Sequence, residues 1–158
     1  MTLQRLVGIW EGTGSGGFPT IEPFSYREVL EVQEMGGILH YSQSTWRAEE
    51  TGEASSHQET GFISLGADGT VEILNAQGSD RVEVLRGLAS TNGDVLVLDL
   101  ESQILANDDR MIRSWRTIEV DGDELRYTMG MATTQVPDGA DHLTARLTRL
   151  IRAETGSR

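Results

Sequence analysis

Short pairs built around Gly, Asn or Asp punctuate this chain at close intervals, and they constrain its fold more than any other feature. They are Gly36-Gly37, Thr51-Gly52, Asp68-Gly69, Gly78-Ser79, Asn92-Gly93, Asn107-Asp108, Asp121-Gly122 and Asp138-Gly139. Gly, Asn and Asp tolerate the positive φ that tight hairpin turns require. The runs between them are rich in β-branched and aromatic residues, and several alternate with period two. Leu125, Tyr127, Met129 and Met131 fall on one face, with Arg126, Thr128 and Gly130 on the other. Leu96, Leu98 and Leu100 share a face, as do Leu143, Ala145 and Leu147. Such alternation predicts strands with one buried and one wet side, about ten of them in all.

Connections this short leave no room for crossover helices, so the sheet is expected to be antiparallel. Closure removes the exposed edges of so long a sheet. A barrel of more than about eight strands is too wide for side chains alone to fill, and the remaining space is a ligand cavity. The predicted architecture is therefore all-β: a ten-stranded antiparallel meander barrel of the lipocalin or fatty-acid-binding type, with a short helical turn near Leu3 to Val7. A chain of 158 residues fits one domain, 1–158, with Ala153 to Arg158 expected as a frayed tail.

The formal net charge is -12, and every basic residue is Arg. A surface this acidic repels phosphate backbones and anionic lipid heads, which argues against nucleic acid and membrane as partners. Cysteine is absent, which removes disulfides, thiolate catalysis and Cys-ligated metal centres, and fits a reducing compartment. The N-terminus carries no apolar run of signal-peptide type, and no stretch approaches the roughly 20 apolar residues of a membrane span. A cytoplasmic location is expected. Exposed strand faces could support a homodimer, without any interface signature to mark one.

Without cysteine, the three histidines are the foremost candidates for a metal ligand. His40 lies within Ile38-Leu39-His40-Tyr41 and reads as an ordinary strand residue. His57, in Ser56-His57-Gln58-Glu59, either lines a cavity or pairs with a carboxylate such as Glu59. His142 opens the last strand. Taken alone, a His there is more simply structural than ligating, and its parity opposes Leu143 and Leu147, so a regular strand would point it outward. An irregular strand start at the barrel mouth could aim the ring over the opening.

Other chemistries fit poorly. Asp108-Asp109 and Asp121/Asp123 lie in turn segments and read as solvated loops. No Gly-x-Ser-x-Gly elbow occurs. Gly12-Thr13-Gly14-Ser15-Gly16-Gly17 lacks the Lys-Ser/Thr ending of a phosphate loop. It suits backbone bending or close approach to a flat ligand. Met129 and Met131 suit the core or the wall of an apolar pocket.

Gly8-Ile9-Trp10-Glu11-Gly12-Thr13-Gly14, continued by Phe18-Pro19-Thr20-Ile21, resembles the nitrobindin family of small haem-binding barrels. Further matches follow in order: Tyr41-Ser42-Gln43-Ser44-Thr45-Trp46, His57-Gln58-Glu59-Thr60-Gly61-Phe62, Asp121 to Tyr127, Met131-Ala132-Thr133-Thr134, and His142 to Leu147. The resemblance covers nearly the whole chain. It implies a b-type haem near one barrel end, with His142 as axial iron ligand and catalytic centre, and Thr20, His57, Gln77 and Met131 in or near the pocket. It also implies isomerisation of peroxynitrite to nitrate at ferric haem, which acts as a Lewis acid, and binding of nitric oxide. The alternatives are a carrier of a fatty acid or other apolar molecule, and a nitric oxide sensor without turnover.

Overall fold

The computed structural model describes residues 2–151. They form one 3-10 turn, Leu3–Leu6, followed by ten strands. The strands are β1 (Gly8–Phe18), β2 (Ile21–Met35), β3 (Ile38–Glu49), β4 (Gly52–Leu65), β5 (Thr70–Gln77), β6 (Val82–Asn92), β7 (Val95–Ala106), β8 (Met111–Asp121), β9 (Glu124–Thr133) and β10 (Ala140–Ile151). Each strand pairs antiparallel with its chain neighbours, and β10 returns to β1 to close the barrel. The expected meander and helical turn are both present. The tail expected to fray, Ala153 to Arg158, lies outside the described residues.

Every turn pair named above falls on or beside a strand connection. Gly36 and Gly37, at φ +64 and +93, make a two-residue hairpin between β2 and β3. The β1–β2 connection at Pro19-Thr20 carries no pair of that kind.

In an antiparallel meander, alternate connections lie at the same end. The N-terminal turn covers one end. Its Leu3 and Leu6, with Val7 just after it, are buried in one cluster with Trp10, whose indole Nε1 donates to the Leu6 carbonyl at 2.8 Å. Below this cap sits an apolar core that includes Val32, Ile73, Leu85, Leu98, Leu125 and Leu147. Burial of each such side chain stabilises the fold by about 1.5–3 kcal/mol. The opposite end gathers the β1–β2, β3–β4, β5–β6, β7–β8 and β9–β10 connections together with the start of β10, and that end is open.

Candidate functional site

A cavity of about 460 Å³ enters the barrel at its open end. Phe24, Met129, Met131 and Leu143 give it apolar wall. The glycine-rich β1 explains how Phe24 and Tyr26 fit inside. Gly14 pairs across the strands with Tyr26, and Gly16 with Phe24. A Cβ on Gly14 would lie 2.3 Å from the Tyr26 ring, and one on Gly16 would lie 2.4 Å from the Phe24 ring. These glycines are thus occupied by aromatic rings of the neighbouring strand, which take the space side chains of β1 would fill. A second concavity, of about 520 Å³, lies over the outer face of β1, β10, β9 and β8 and has no histidine in its lining.

His142 reaches the cavity through an irregularity in its strand. Asp141 pairs with Gly130 and Leu143 with Met129, so His142 is the extra residue of a bulge. A bulge re-aims a side chain that regular alternation would send outward. The facing strand is irregular at the same level: the β1–β2 register shifts between Gly16 and Phe18, around Gly17. There the Gly17 carbonyl lies 3.0 Å from His142 Nδ1, so Nδ1–H donates to it. Phe18 and Phe24 stand edge-on to the imidazole, with ring centroids 5.9 and 6.2 Å away.

This bond sets the tautomer. With the proton on Nδ1, the Nε2 lone pair is the ring's remaining donor atom. Burial lowers the His142 pKa below the ordinary histidine value, against the opposing pull of the Gly17 carbonyl, and the cations Arg81 and Arg47 add to the lowering. A neutral imidazole is the form that ligates a metal.

Beneath the apolar wall lies a belt of buried polar groups. Arg116 donates from Nη1 to Glu59 at 2.7 Å, and from Nη2 to Glu59 at 3.1 Å and Glu83 at 2.9 Å. Glu28, fully buried, accepts from Gln43 Nε2 at 2.8 Å and from the Tyr127 hydroxyl. The Tyr127 hydroxyl meets the Tyr26 hydroxyl at 2.7 Å. Among the described residues no buried side-chain nitrogen or oxygen lacks a hydrogen-bond partner. Burial alone would push the Glu59 carboxyl up. The Arg116 charge, with hydrogen bonds from His57, Arg116 and Tyr41, overcomes it and holds Glu59 well below the usual carboxylate range. Glu28 has no arginine against it, only the smaller influence of His57. Burial raises it to about 7, and the Tyr127 and Gln43 hydrogen bonds only moderate the rise.

The structure brings His57, Gln77, Met131 and His142 together around one cavity. His57 does both things weighed for it: it lines the cavity, and its Nε2 lies 3.4 Å from Glu59 Oε2. Gln77 is buried and accepts from Arg81 Nε at 3.1 Å. Thr20 lies in the exposed β1–β2 turn and is not part of the lining. His40 bonds Thr60 on the outer wall at 3.0 Å. Sequence reasoning missed Glu28, Glu59, Glu83 and Arg116 as interior residues. One signal was present: each falls on the parity of buried apolar neighbours, as Glu83 does with Leu85.

The donor set fits a haem. Among the described residues no group of three or more His, Asp or Glu is placed to hold a metal ion, so a bare ion finds no protein cage. One neutral imidazole beside the apolar wall of Phe24, Met129, Met131 and Leu143 suits a porphyrin-bound iron, because the macrocycle brings the other ligands itself; polar groups such as Gln77, Glu59 and Arg116 line the rest of the hollow.

Known proteins point the same way. The profile of the THAP4-like, heme-binding beta-barrel domain matches residues 1–149. A protein of Mycobacterium tuberculosis named peroxynitrite isomerase 1 is 36% identical over 154 residues, covering 93% of this chain and 92% of its own length. One of Arabidopsis thaliana, named peroxynitrite isomerase Rv2717c, is 34% identical over 136 residues, covering 85% of this chain and 80% of its own. The crystal structure of Rv2717c from M. tuberculosis superposes with a TM-score of 0.85 at 33% identity, covering 94% of this chain and 95% of that one.

Proposed function

We propose, from the premise that this chain belongs to the THAP4-like, heme-binding beta-barrel family, that it binds a b-type haem through His142 and isomerises peroxynitrite to nitrate. The observation that carries the reading is the His142–Gly17 bond at 3.0 Å, which turns the bulged residue at the start of β10 into a neutral Nε2 donor at the cavity. The substrate class comes from the relatives named peroxynitrite isomerase, which match over most of both chains.

His142 would hold the iron, and Gly17 fixes the ring's tautomer and angle. When bound, ferric haem would supply a Lewis acid for a small anion. Isomerisation moves one oxygen within the substrate and needs no net proton. The protein therefore binds and shields rather than titrates. Phe24, Met129, Met131 and Leu143 exclude water, and Glu59 holds the His57 ring at the cavity wall through its Nε2. Nitric oxide, small and uncharged, is expected to bind the same haem.

Haemin added to the purified protein tests this. Wild type is expected to develop the intense Soret band of bound haem and to speed peroxynitrite decay to nitrate. His142→Ala is expected to lose haem affinity by at least tenfold, about 1.4 kcal/mol. A variant that kept full affinity and full turnover would contradict the assignment. Wild type that ignored haemin but took up a fatty acid would mark a carrier. Haemin uptake with reversible nitric oxide binding and no turnover would mark a sensor.

A further inference from the structure

We propose that Arg47, on β3 at the cavity mouth, is the anchor for a carboxylate on the rim of the cavity's ligand: a haem propionate, on the reading above, on which this inference rests.

The argument begins with charge. In a chain of net charge -12, a cation without an acidic partner is unusual. Apart from Arg5, every other arginine whose side chain is described has a carboxylate oxygen within 3.8 Å. Arg5 donates to the Asp94 carbonyl at the closed end, far from the cavity. Arg47 has no such carboxylate among the described residues, although it lines the mouth.

Its geometry leaves the right atoms free. The Arg47 guanidinium carbon lies 3.4 Å from the centroid of the Phe24 ring. Stacking engages the flat face of the guanidinium, whereas its N–H donors point outward in the plane. Those donors form a fork that matches a carboxylate. Phe24 stands edge-on to His142, so the free cation and the metal-ligating ring belong to one aromatic cluster. Arg81, also in the lining, does not compete for this role. It donates to Gln77 at 3.1 Å and faces Glu83 at 3.6 Å and Asp108 at 3.7 Å. The site therefore offers apolar wall from Phe24, Met129, Met131 and Leu143, one ligating nitrogen, and one unpaired cation at the rim. That combination selects a flat apolar molecule with an acidic edge.

Haemin and haemin dimethyl ester, whose propionates are capped and uncharged, separate this role from packing. Each is titrated into wild type, Arg47→Gln, Arg47→Lys and His142→Ala, with dissociation constants read from the Soret band. Wild type is expected to prefer haemin over the ester by about tenfold, the scale of one charge-assisted contact at a partly exposed site. Arg47→Gln is expected to bind both alike, at the ester's affinity for wild type, and Arg47→Lys to regain part of the preference. Taking the ratio within each variant cancels any effect on Phe24 or His142. An undiminished preference in Arg47→Gln, or an equal loss for both ligands, would overturn the anchor while leaving the haem reading intact. Wild type that bound neither ligand, or His142→Ala that bound both as well as wild type, would overturn the haem reading and the anchor with it.

Discussion

Single residues in this barrel carry charges that their neighbours neutralise to different degrees. Arg116 faces two buried carboxylates, Glu59 and Glu83. Removing it strands both, and a broken buried ion pair costs about 3–5 kcal/mol. Arg116→Met is expected to unfold at markedly lower denaturant, and an unchanged midpoint would show that the carboxylates find other partners. Glu28 is the contrasting case. Its carboxyl is raised to about 7 from an ordinary value of 4.5, chiefly by burial. The native state therefore keeps a proton that the unfolded chain releases above about 4.5. The stability that protonated Glu28 contributes is complete below that pH and drains as pH rises towards 7. Above it, the ionised native carboxylate leaves a constant penalty of about 3 kcal/mol. Glu28→Gln cannot ionise. Between pH 4.5 and 7 its unfolding free energy should gain on that of wild type by about that amount, and parallel pH profiles would show that Glu28 does not titrate there.

At the scale of elements, the decisive parts are two irregular strands. β1 is the seam partner of both β2 and β10, and its glycines bring backbones and rings close. A Cβ on Gly12 would lie 2.1 Å from the Arg146 carbonyl oxygen and 2.8 Å from the Leu147 Cα of β10. Backbone cannot swing aside as a side chain can, so Gly12→Ala forces the β1–β10 seam apart. The expected loss is about 1–3 kcal/mol in chemical unfolding, the usual cost of overpacking. Gly17→Ala, where the nearest atom would be 3.6 Å away, is the control expected to stay near wild type in the same measurement. The bulge at His142 and the irregularity at Gly17 do the corresponding work for function: each breaks the strand's alternation where the ring and its acceptor must meet.

For the whole molecule, the barrel is apolar at the capped end, polar in the middle and hollow at the open end. A ligand that enters the hollow binds the closed barrel and not the unfolded chain. Haemin at about 100-fold excess over its dissociation constant should therefore add about 2.7 kcal/mol and raise the thermal midpoint by about 5–10 °C. The same addition should raise the midpoint of His142→Ala by about half as much or less, and an equal rise in both would place the ligand elsewhere. Much of this shape was legible in the chain. Turn pairs such as Gly36-Gly37 and Asp121-Gly122, and alternation such as Leu125, Tyr127, Met129, Met131, are local properties, set by backbone sterics and by which face meets water. They determined the strands, their order and the closed meander, and with the family resemblance they drew attention to His142. What only the tertiary structure decided was where the exceptions point. His142 and Gly17 lie 125 residues apart, and Arg116 and Glu59 lie 57 apart. By strand parity His142 faces outward, and by charge Glu28, Glu59 and Glu83 face water. Those local rules yield only after closure, when a bulge turns the imidazole inward and an arginine from a distant strand repays the desolvation of two buried carboxylates.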